Sequence, residues 1–324
     1  MTGGTGFIGS HVVDALLSKG FDVRCIYRKS SNLRWLENKN VELIEASLSN
    51  VDSLLRAVDS VDYIFHVAGV VAAKNYDDFL KGNRDATKNL LEATLKKAPN
   101  LKRFLHVSSQ TAAGPSQSRE HPNDENDLCN PITAYGRSKK AAEDVVLEYK
   151  DRLPITIVRP PAVYGPRDTA TFQIFQVADK GFGTLIGFDK KYVNLIHSDD
   201  LVRGIVDSAL SDNTKGKIYF VASEEIYNWD EIMDAIKEAL HRKSFHKIHI
   251  PHFLVYTLAG LSEFFGRFSS KPPIFNFDKG RDFVQKYWTC SVESAKRDFG
   301  FQQKINLNDG LNSTIKWYKD NKWF

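Results

Sequence analysis

The chain opens with Thr2-Gly3-Gly4-Thr5-Gly6-Phe7-Ile8-Gly9, and this stretch decides the fold because its glycines have dinucleotide-turn spacing. Gly3 permits a tight turn, Gly6 lets the backbone approach a pyrophosphate, and Gly9 allows close helix–sheet packing. An amphipathic pattern follows over residues 7–19, and Gly20 suits the C-cap of that helix. Its free N–H groups and positive dipole favour phosphate. The predicted cofactor contacts in this turn are Gly3, Thr5, Gly6, Phe7, Ile8 and Gly9.

Outward from this turn, strand and helix patterns alternate up to about residue 160. Short apolar runs predict strands at residues 23–27, 41–45, 63–67, 104–107 and 155–158. Amphipathic segments predict helices near residues 7–19, 50–58, 83–97 and 132–150. This alternation predicts an α/β fold, a Rossmann doubly wound parallel sheet with helices on both faces.

Beyond Pro160 the helical patterns lengthen, aromatic residues become more frequent, and prolines interrupt the chain at Pro251 and Pro272-Pro273. Residues 217–222 return to a strand pattern. We therefore predict a dinucleotide-binding Rossmann domain from residues 1–163 and 192–224. Residues 164–191 and 225–324 are predicted to form a smaller, mostly helical C-terminal substrate lobe.

A glycine turn of this kind normally follows an apolar strand, and none precedes Thr2 in this sequence. That strand would lie in the middle of the sheet. Without it, the buried backbone groups of both neighbouring strands would lack partners. We therefore expect the first strand to be truncated here and to be completed by residues upstream of Met1.

Composition narrows the class of protein. The chain has 324 residues, 42% hydrophobic, with a net charge of +4 that is spread along the sequence, which argues against a nucleic-acid partner. No apolar run approaches the roughly 18 residues of a membrane span. The cysteines Cys25, Cys129 and Cys290 match neither disulfide nor zinc spacing. These features predict a soluble cytoplasmic protein.

Two features of the C-terminal part invite other interpretations. His246, His249 and His252 are closely spaced, but a strand ending at Pro251 would point them in different directions, so we predict no metal site. Residues 253–268 are apolar and aromatic at helical spacing, which favours lobe core or a substrate-pocket wall. The alternative is an amphipathic helix in peripheral contact with a membrane.

The second predicted strand is followed by Arg28-Lys29-Ser30-Ser31, with no carboxylate to bind a ribose 2′-hydroxyl. A guanidinium instead suits a 2′-phosphate, which it can bind with two parallel hydrogen bonds. Arg28 therefore favours NADP(H) as the cofactor, with NAD(H) as the alternative.

Tyr135 and Lys139 stand four residues apart at the start of a predicted helix, so their side chains share one face. A nearby ammonium would lower the pKa of the phenol from about 10 and make it a general acid–base. Tyr318 and Lys322 repeat the spacing, which we attribute to chance. Only the first pair follows a strand that ends in serines, Ser108-Ser109, where a hydroxyl can bind a substrate oxygen.

Taken together, these segments resemble the extended short-chain dehydrogenase/reductase superfamily, of the NAD(P)-dependent epimerase/dehydratase type. The resemblance covers nearly the whole chain and keeps the family's order of segments. They comprise residues 2–9, 66–69, 83–89, 107–109, 135–139, 159–166 and 197–200. One departure is Ser47, where the family usually has an aspartate that contacts adenine.

The resemblance implies roles for particular positions. Ser109 matches the family's catalytic serine, Tyr135 the acid–base, and Lys139 the lysine that tunes the tyrosine and binds the nicotinamide ribose. The family's dimer interface corresponds to the helices near residues 83–97 and 132–150, which implies a homodimer. Further cofactor contacts implied in this way are Ala68, Val107, Pro160 and Val163.

Three functions follow from this resemblance. The first is a reductase or dehydrogenase that moves hydride between NADP(H) and a ketone or secondary alcohol. Arg28 favours it, as does the aromatic C-terminal lobe, which resembles the dihydroflavonol-reductase and hydroxysteroid-dehydrogenase branch. Val193-Asn194 also stand where nucleotide-sugar enzymes more often place an arginine and an acid. The alternatives are a nucleotide-sugar epimerase or dehydratase with tightly bound NAD, and a non-catalytic cofactor-binding protein.

Overall fold

The glycine turn leads directly into a helix over Phe7–Ser18, within one residue of the predicted bounds. The structure is a computed structural model that describes residues 1–266 and 276–324. Pro272-Pro273 lie outside the described residues. The helices are α1 Phe7–Ser18, α2 Val51–Ala57, α3 Tyr76–Leu80, α4 Ala86–Lys97, α5 Gln110–Ala113, α6 Ala134–Glu148, α7 Thr169–Asp179, α8 Ser198–Leu210, α9 Trp229–Ala239, α10 His252–Gly266, α11 Phe277–Val284, α12 Glu293–Phe299 and α13 Leu307–Asp320. The strands are β1 Val23–Tyr27, β2 Val41–Glu45, β3 Tyr63–His66, β4 Arg103–Val107, β5 Ile155–Arg159, β6 Ala162–Tyr164, β7 Phe182–Ile186, β8 Tyr192–Val193, β9 Leu195–His197, β10 Lys217–Phe220, β11 Tyr227–Asn228, β12 His246–Ile250 and β13 Tyr287–Trp288.

The predicted doubly wound parallel sheet is confirmed. Strands β3, β4, β5 and β10 pair in parallel in the order β10-β5-β4-β3, and β1 pairs in parallel with β2. β4 and β5 are buried along their whole length, because helices cover both faces of the sheet.

Met1 and Thr2 connect these two groups of strands. The amide of Ile26 on β1 donates to the Met1 carbonyl at 2.9 Å, and the amide of Thr2 donates to Phe65 on β3 at 3.0 Å. The glycine turn therefore leaves the sheet between β1 and β3, where the strand order changes direction and where such folds bind ligands. Completion of the first strand by upstream residues stays a prediction.

The segment predicted as one helix over residues 83–97 is divided. A π-helical turn over Lys81–Asp85 separates α3 from α4. Within it, buried Asn83 hydrogen-bonds the backbone N–H and C=O of Val70 at 2.7 and 3.0 Å, and the Ser138 hydroxyl at 2.8 Å. These tertiary bonds account for the wide turn, which an amphipathic pattern alone does not reveal.

The C-terminal lobe is built mainly from α7, α9, α10, α11 and α13, with short strand pairs such as β7 with β12 and β8 with β13. Its core includes Phe175, Ile236 and Tyr318. β6 and β9 pair in parallel between this lobe and the main sheet. Among the residues that the structure describes, no helix is long and apolar enough to cross a membrane.

Candidate active site

The glycine turn is shaped by close contacts between backbone segments. Gly3 has φ +74°, and a Cβ there would lie 2.7 Å from the amide nitrogen of Ala68, just beyond β3. A Cβ on Gly9 would overlap the carbonyl oxygen of Gly3. Both positions therefore require glycine for the turn to close, and Gly9 packs on the turn itself rather than only on the sheet.

Gly6 is different, because a Cβ there would make only an ordinary contact with the Gly3 oxygen at 3.4 Å. Gly6 is exposed at the N-cap of α1, and no side chain in the described part of the chain caps the helix. The N–H groups of Phe7 and Ile8 in the first turn therefore remain available, at the positive end of the helix dipole. Thr5, Phe7 and Ile8 are all half-buried around this turn. An exposed, uncapped helix start with no side chain at Gly6 fits the pyrophosphate of a dinucleotide.

A buried hydrogen-bond chain connects the turn to the helices behind it. The hydroxyl of Thr2 bonds His66 Nδ1 at 2.7 Å, and His66 Nε2 bonds the hydroxyl of Thr87 on α4 at 2.9 Å. Burial lowers the pKa of His66 to about 3, so its ring is neutral. The amide of Ala68 also donates to the Thr2 hydroxyl, at 3.2 Å. This network fixes the end of β3 against the glycine turn.

Arg28 lies just after β1 and is exposed. Its amide donates to the Ser31 hydroxyl at 3.0 Å. Within residues 1–266 and 276–324, its guanidinium forms no ion pair, so it is available to a ligand. Because β1 ends at the same sheet edge as the glycine turn, Arg28 is near the predicted cofactor site.

Ser109 lies close enough to Tyr135 for its hydroxyl to act on the pKa of the phenol. Ser109 follows β4 and caps α5, where its Oγ accepts from the amide and hydroxyl of Thr111 at 3.2 and 2.9 Å. Tyr135 lies in the first turn of α6, which Thr133 caps by accepting from Gly136 at 3.0 Å. Lys139, one turn further, is buried and donates from Nζ to the Val107 carbonyl at 2.8 Å.

The expected lowering of the tyrosine pKa is wrong for this structure. Burial raises the pKa of Tyr135 to about 12, although its hydrogen bond with Ser109 opposes the rise. Burial also lowers the pKa of Lys139 to about 8, because the ammonium is removed from water. The loss of hydration therefore decides the pKa of the phenol, and the lysine four residues away is not among the groups that shift it. A neutral phenol results, and this form can donate a proton.

The remaining predicted cofactor residues lie at the same carboxyl edge of the sheet. Val107 ends β4 and its carbonyl holds Lys139. Pro160 follows β5, and its carbonyl accepts from the amide of Gln110 at 2.8 Å. Val163 is half-buried on β6.

Tyr318, which has the same spacing to Lys322 as Tyr135 has to Lys139, is buried in the C-terminal lobe. Its hydroxyl donates to the Asp168 carbonyl at 2.7 Å, so Tyr318 has a structural role.

A cavity of about 520 Å³ opens beside Ser109, between the sheet edge and the C-terminal lobe. Its walls come from α7, β7, α9 and α11, and most of their side chains there are apolar. Apolar lining residues include Pro161, Ile174, Val177, Ile186, Met233 and Trp288.

Among the polar residues of this cavity that sequence reasoning missed are Gln110 and Asp282. Gln110 directly follows Ser109, so its position was available as a signal. Asp282 lies on α11, far along the chain, and no sequence pattern connects it with the site.

The histidines on β12 and α10 form no metal cluster with other ligands in the described part of the chain. The absence of a metal site stays a prediction.

Comparisons with known proteins agree with this geometry. The model of the NAD dependent epimerase/dehydratase family matches residues 1–228. The chain is 28% identical over 323 residues to the ceramide reductase of Caulobacter vibrioides, covering 100% of this chain and 95% of that protein. It is 26% identical over 343 residues to the 3 beta-hydroxysteroid dehydrogenase/Delta 5-->4-isomerase of Mycobacterium tuberculosis, covering 98% of this chain and 89% of that protein.

A solved structure shows the same fold. The UDP-glucose 4-epimerase of Thermotoga maritima, crystallised with UDP-glucose, superposes with a TM-score of 0.79 at 21% identity. The match covers 99% of this chain and 98% of that one.

Proposed function

This chain belongs to the NAD dependent epimerase/dehydratase family, and on that premise we propose that it is an NADPH-dependent reductase of an apolar ketone. The observation that carries this proposal is the apolar cavity beside Ser109, whose hydroxyl lies close to a neutral Tyr135. A cavity walled mainly by hydrocarbon favours an apolar substrate over a charged nucleotide sugar. The relatives named as a ceramide reductase and a hydroxysteroid dehydrogenase support the same direction.

The glycine turn and its neighbours would hold the cofactor. The exposed Gly6 and the first-turn N–H groups of α1 suit its pyrophosphate, and Lys139 lies where it can bind the nicotinamide ribose. Ala68, Val107, Pro160 and Val163 provide the surrounding surface. When bound, the reduced nicotinamide supplies the hydride for the carbonyl carbon.

The protein's own residues handle the proton. The Ser109 hydroxyl hydrogen-bonds the substrate oxygen and orients it toward the phenol. Tyr135 donates its proton to that oxygen, which suits a phenol that burial keeps neutral. The Lys139 ammonium stabilises the phenolate that remains, although its first hydrogen bond is to the Val107 carbonyl.

Arg28 supports NADPH over NADH. Its free guanidinium can pair with a 2′-phosphate, and a charge-assisted pair at an exposed site adds affinity mainly for the phosphorylated cofactor.

The second candidate is a nucleotide-sugar epimerase or dehydratase, which the family's own description favours. Such an enzyme oxidises and reduces the same bound sugar, so its cofactor is not consumed. A third hypothesis is a non-catalytic cofactor-binding protein, and the presence of Ser109, Tyr135 and Lys139 argues against it. We also propose a homodimer formed through α4 and α6, on the family resemblance alone, and a cytoplasmic location, on the composition and the spacing of the cysteines.

The test begins with the cofactor content of the purified protein. Reductase function predicts exchangeable cofactor and NADPH consumption that depends on an added apolar ketone. Stoichiometric NAD⁺ that survives dialysis, with turnover of nucleotide sugars and no net cofactor consumption, would replace the reductase by the epimerase. Mass measurement by light scattering tests the homodimer in the same sample.

A further inference from the structure

The outer face of α10 is apolar, where a helix at a protein surface normally carries charged and polar side chains. The apolar segment at residues 253–268 forms this helix up to Gly266, and residues 267–268 lie outside the described residues. Over residues 252–263, four of the five exposed residues are apolar and none is charged. They are Phe253, Leu254, Thr257, Leu258 and Leu261, of which Phe253 is 72% and Leu261 51% exposed.

The opposite face of α10 packs on α11. A Cβ on Gly280 of α11 would lie 3.6 Å from Tyr256 and 3.7 Å from Ala259, which is buried. α11 in turn supplies Lys279 and Asp282 to the wall of the substrate cavity. Residues 252–263 themselves do not border that cavity. α10 therefore lies on the outside of a helix that lines the cavity, with its apolar face turned away from the protein.

A second exposed apolar area continues the cavity wall to the surface. Phe182, Thr184 and Ile186 of β7 line the cavity, and Phe182 is 43% exposed. The parallel register places Ile248 of β12 beside Thr184 and hence on the same face of the strand pair. Ile248 is 48% exposed, and α10 begins two residues after β12 ends. Exposed apolar side chains thus run from the cavity mouth across β12 to α10.

Positive charge lies beside this apolar area. Lys180 and Lys243 line a groove that shares Phe182 with the substrate cavity. Both lysines are exposed, and neither forms an ion pair within residues 1–266 and 276–324. Asp179, the acid next to Lys180 in the chain, is paired with Arg242. The charge of the two lysines is therefore available to an anionic partner.

We propose that the exposed face of α10, together with Ile248 and Phe182, docks on the surface of a phospholipid bilayer that contains anionic lipid. An apolar helix face can enter the boundary between headgroups and acyl chains, and lysines beside it are attracted to anionic headgroups. Lys180 and Lys243 disfavour a second copy of this chain as the occupant, because a twofold contact would bring the same cations toward each other.

Docking brings the mouth of the substrate cavity to the membrane. An apolar ketone can then pass from the bilayer to the cavity past Phe182, which belongs to both surfaces. This route for the substrate rests on the proposed reductase function, whereas the membrane contact itself requires neither NADPH nor a ketone.

The test measures sedimentation of the full chain with two kinds of vesicle, phosphatidylcholine alone and phosphatidylcholine mixed with phosphatidylglycerol. The proposal predicts tighter binding to the mixed vesicles, and salt should reduce that preference. Lys180→Gln/Lys243→Gln should bind the mixed vesicles about 25-fold more weakly, since each lysine near an anionic surface contributes about fivefold.

A matched double variant controls for net charge. Lys19→Gln/Lys97→Gln removes two exposed lysines that precede β1 and β4, at the amino edge of the sheet, and should retain binding. Equal losses in the two double variants would attribute binding to overall charge and overturn the proposal, as would a wild-type protein that binds neither kind of vesicle.

An apolar variant tests the helix face. Leu258→Ser should weaken binding to both kinds of vesicle about tenfold, because one leucine side chain no longer leaves water. Leu128→Ser, at a residue 97% exposed in the loop between α5 and α6, should bind as the wild type does. Equal binding by the two variants excludes the α10 face as the contact. If light scattering shows that Leu258→Ser instead dissociates a dimer and the wild type ignores vesicles, a second copy covers this face and the proposal is wrong.

Turnover separates the docking surface from the reductase. With a long-chain ketone presented in vesicles, Leu258→Ser should lower kcat/KM about tenfold, whereas with a short water-soluble ketone it should leave kcat/KM unchanged. Vesicle binding without any NADPH oxidation contradicts the reductase alone. Oxidation of both ketones by a protein that does not bind vesicles contradicts the docking surface alone.

Discussion

Replacement of Gly6 by alanine separates cofactor binding from folding, because the structure leaves room for the added methyl group. Gly6 has φ −91° and ψ −178°, an extended conformation that alanine adopts readily. Its Cβ would lie 3.4 Å from the Gly3 oxygen, which is an ordinary contact. Alanine is less favourable than glycine at the N-cap, which lowers the stability of the folded protein. Alanine also reduces the conformational entropy of the unfolded chain, which raises that stability. We expect the free energy of unfolding to change by less than about 1 kcal/mol.

Cofactor affinity should respond far more strongly. The methyl group would project from the exposed start of α1 into the space proposed for the pyrophosphate. Loss of one hydrogen bond to a charged group costs about 1.5–3 kcal/mol, which corresponds to roughly 10- to 150-fold weaker binding. Calorimetric titration with NADPH and NADH measures this change, and urea unfolding measures stability.

Gly20→Ala is the matched control at the other end of the same helix. Gly20 has φ +80° and open space around its Cβ position, so alanine there should cost about 1–2 kcal/mol of stability through backbone conformation alone. Its cofactor affinity should equal that of the wild type. If Gly6→Ala binds both cofactors as tightly as the wild type does, the proposed phosphate site is wrong.

Three further substitutions test individual contacts. Arg28→Ala should weaken NADPH binding about tenfold and leave NADH binding unchanged, and equal losses for both would refute the 2′-phosphate contact. Lys139→Met should abolish reduction but raise the free energy of unfolding of the free protein at pH 7 by about 2 kcal/mol. Burial disfavours the ammonium, as its pKa of about 8 shows, and methionine removes that cost. The lost hydrogen bond to the Val107 carbonyl offsets part of the gain. Since the folded-state pKa is the lower one, wild-type stability should rise relative to this variant between about pH 8 and 10.5, and parallel pH profiles would contradict the burial argument. Arg159→Met should cost about 3–5 kcal/mol in urea unfolding, because it leaves the fully buried Glu143 carboxylate unpaired, and the double variant Arg159→Met/Glu143→Leu should recover most of that loss.

The sheet was predictable because its strands are short apolar runs and its first helix follows a glycine turn. The β1 and β2 bounds match the predicted ranges, and the other predicted strands differ by one or two residues at their ends. The π-helical turn at Asn83 was not predictable, because it depends on hydrogen bonds to Val70 and Ser138 that only tertiary structure supplies.

The places of the candidate site residues in the fold were predictable, but their electrostatics were not. Local spacing placed Tyr135 and Lys139 on one helix face, and the end of β4 identified Ser109. Spacing carries no information about burial, which raises the pKa of the phenol instead of lowering it. Asp282 reaches the cavity from a lobe whose sequence pattern gives no register with the sheet, so only the fold reveals it.

The proton transfer assigned to Tyr135 is tested most directly by single-turnover reduction of an apolar ketone by the NADPH-bound Tyr135→Phe variant. Removal of a positioned proton donor predicts a rate lower by about 10²- to 10⁴-fold, with the dissociation constant for NADPH unchanged. A variant that reduces the ketone at the wild-type rate would contradict the account, since the proton would then come from another group.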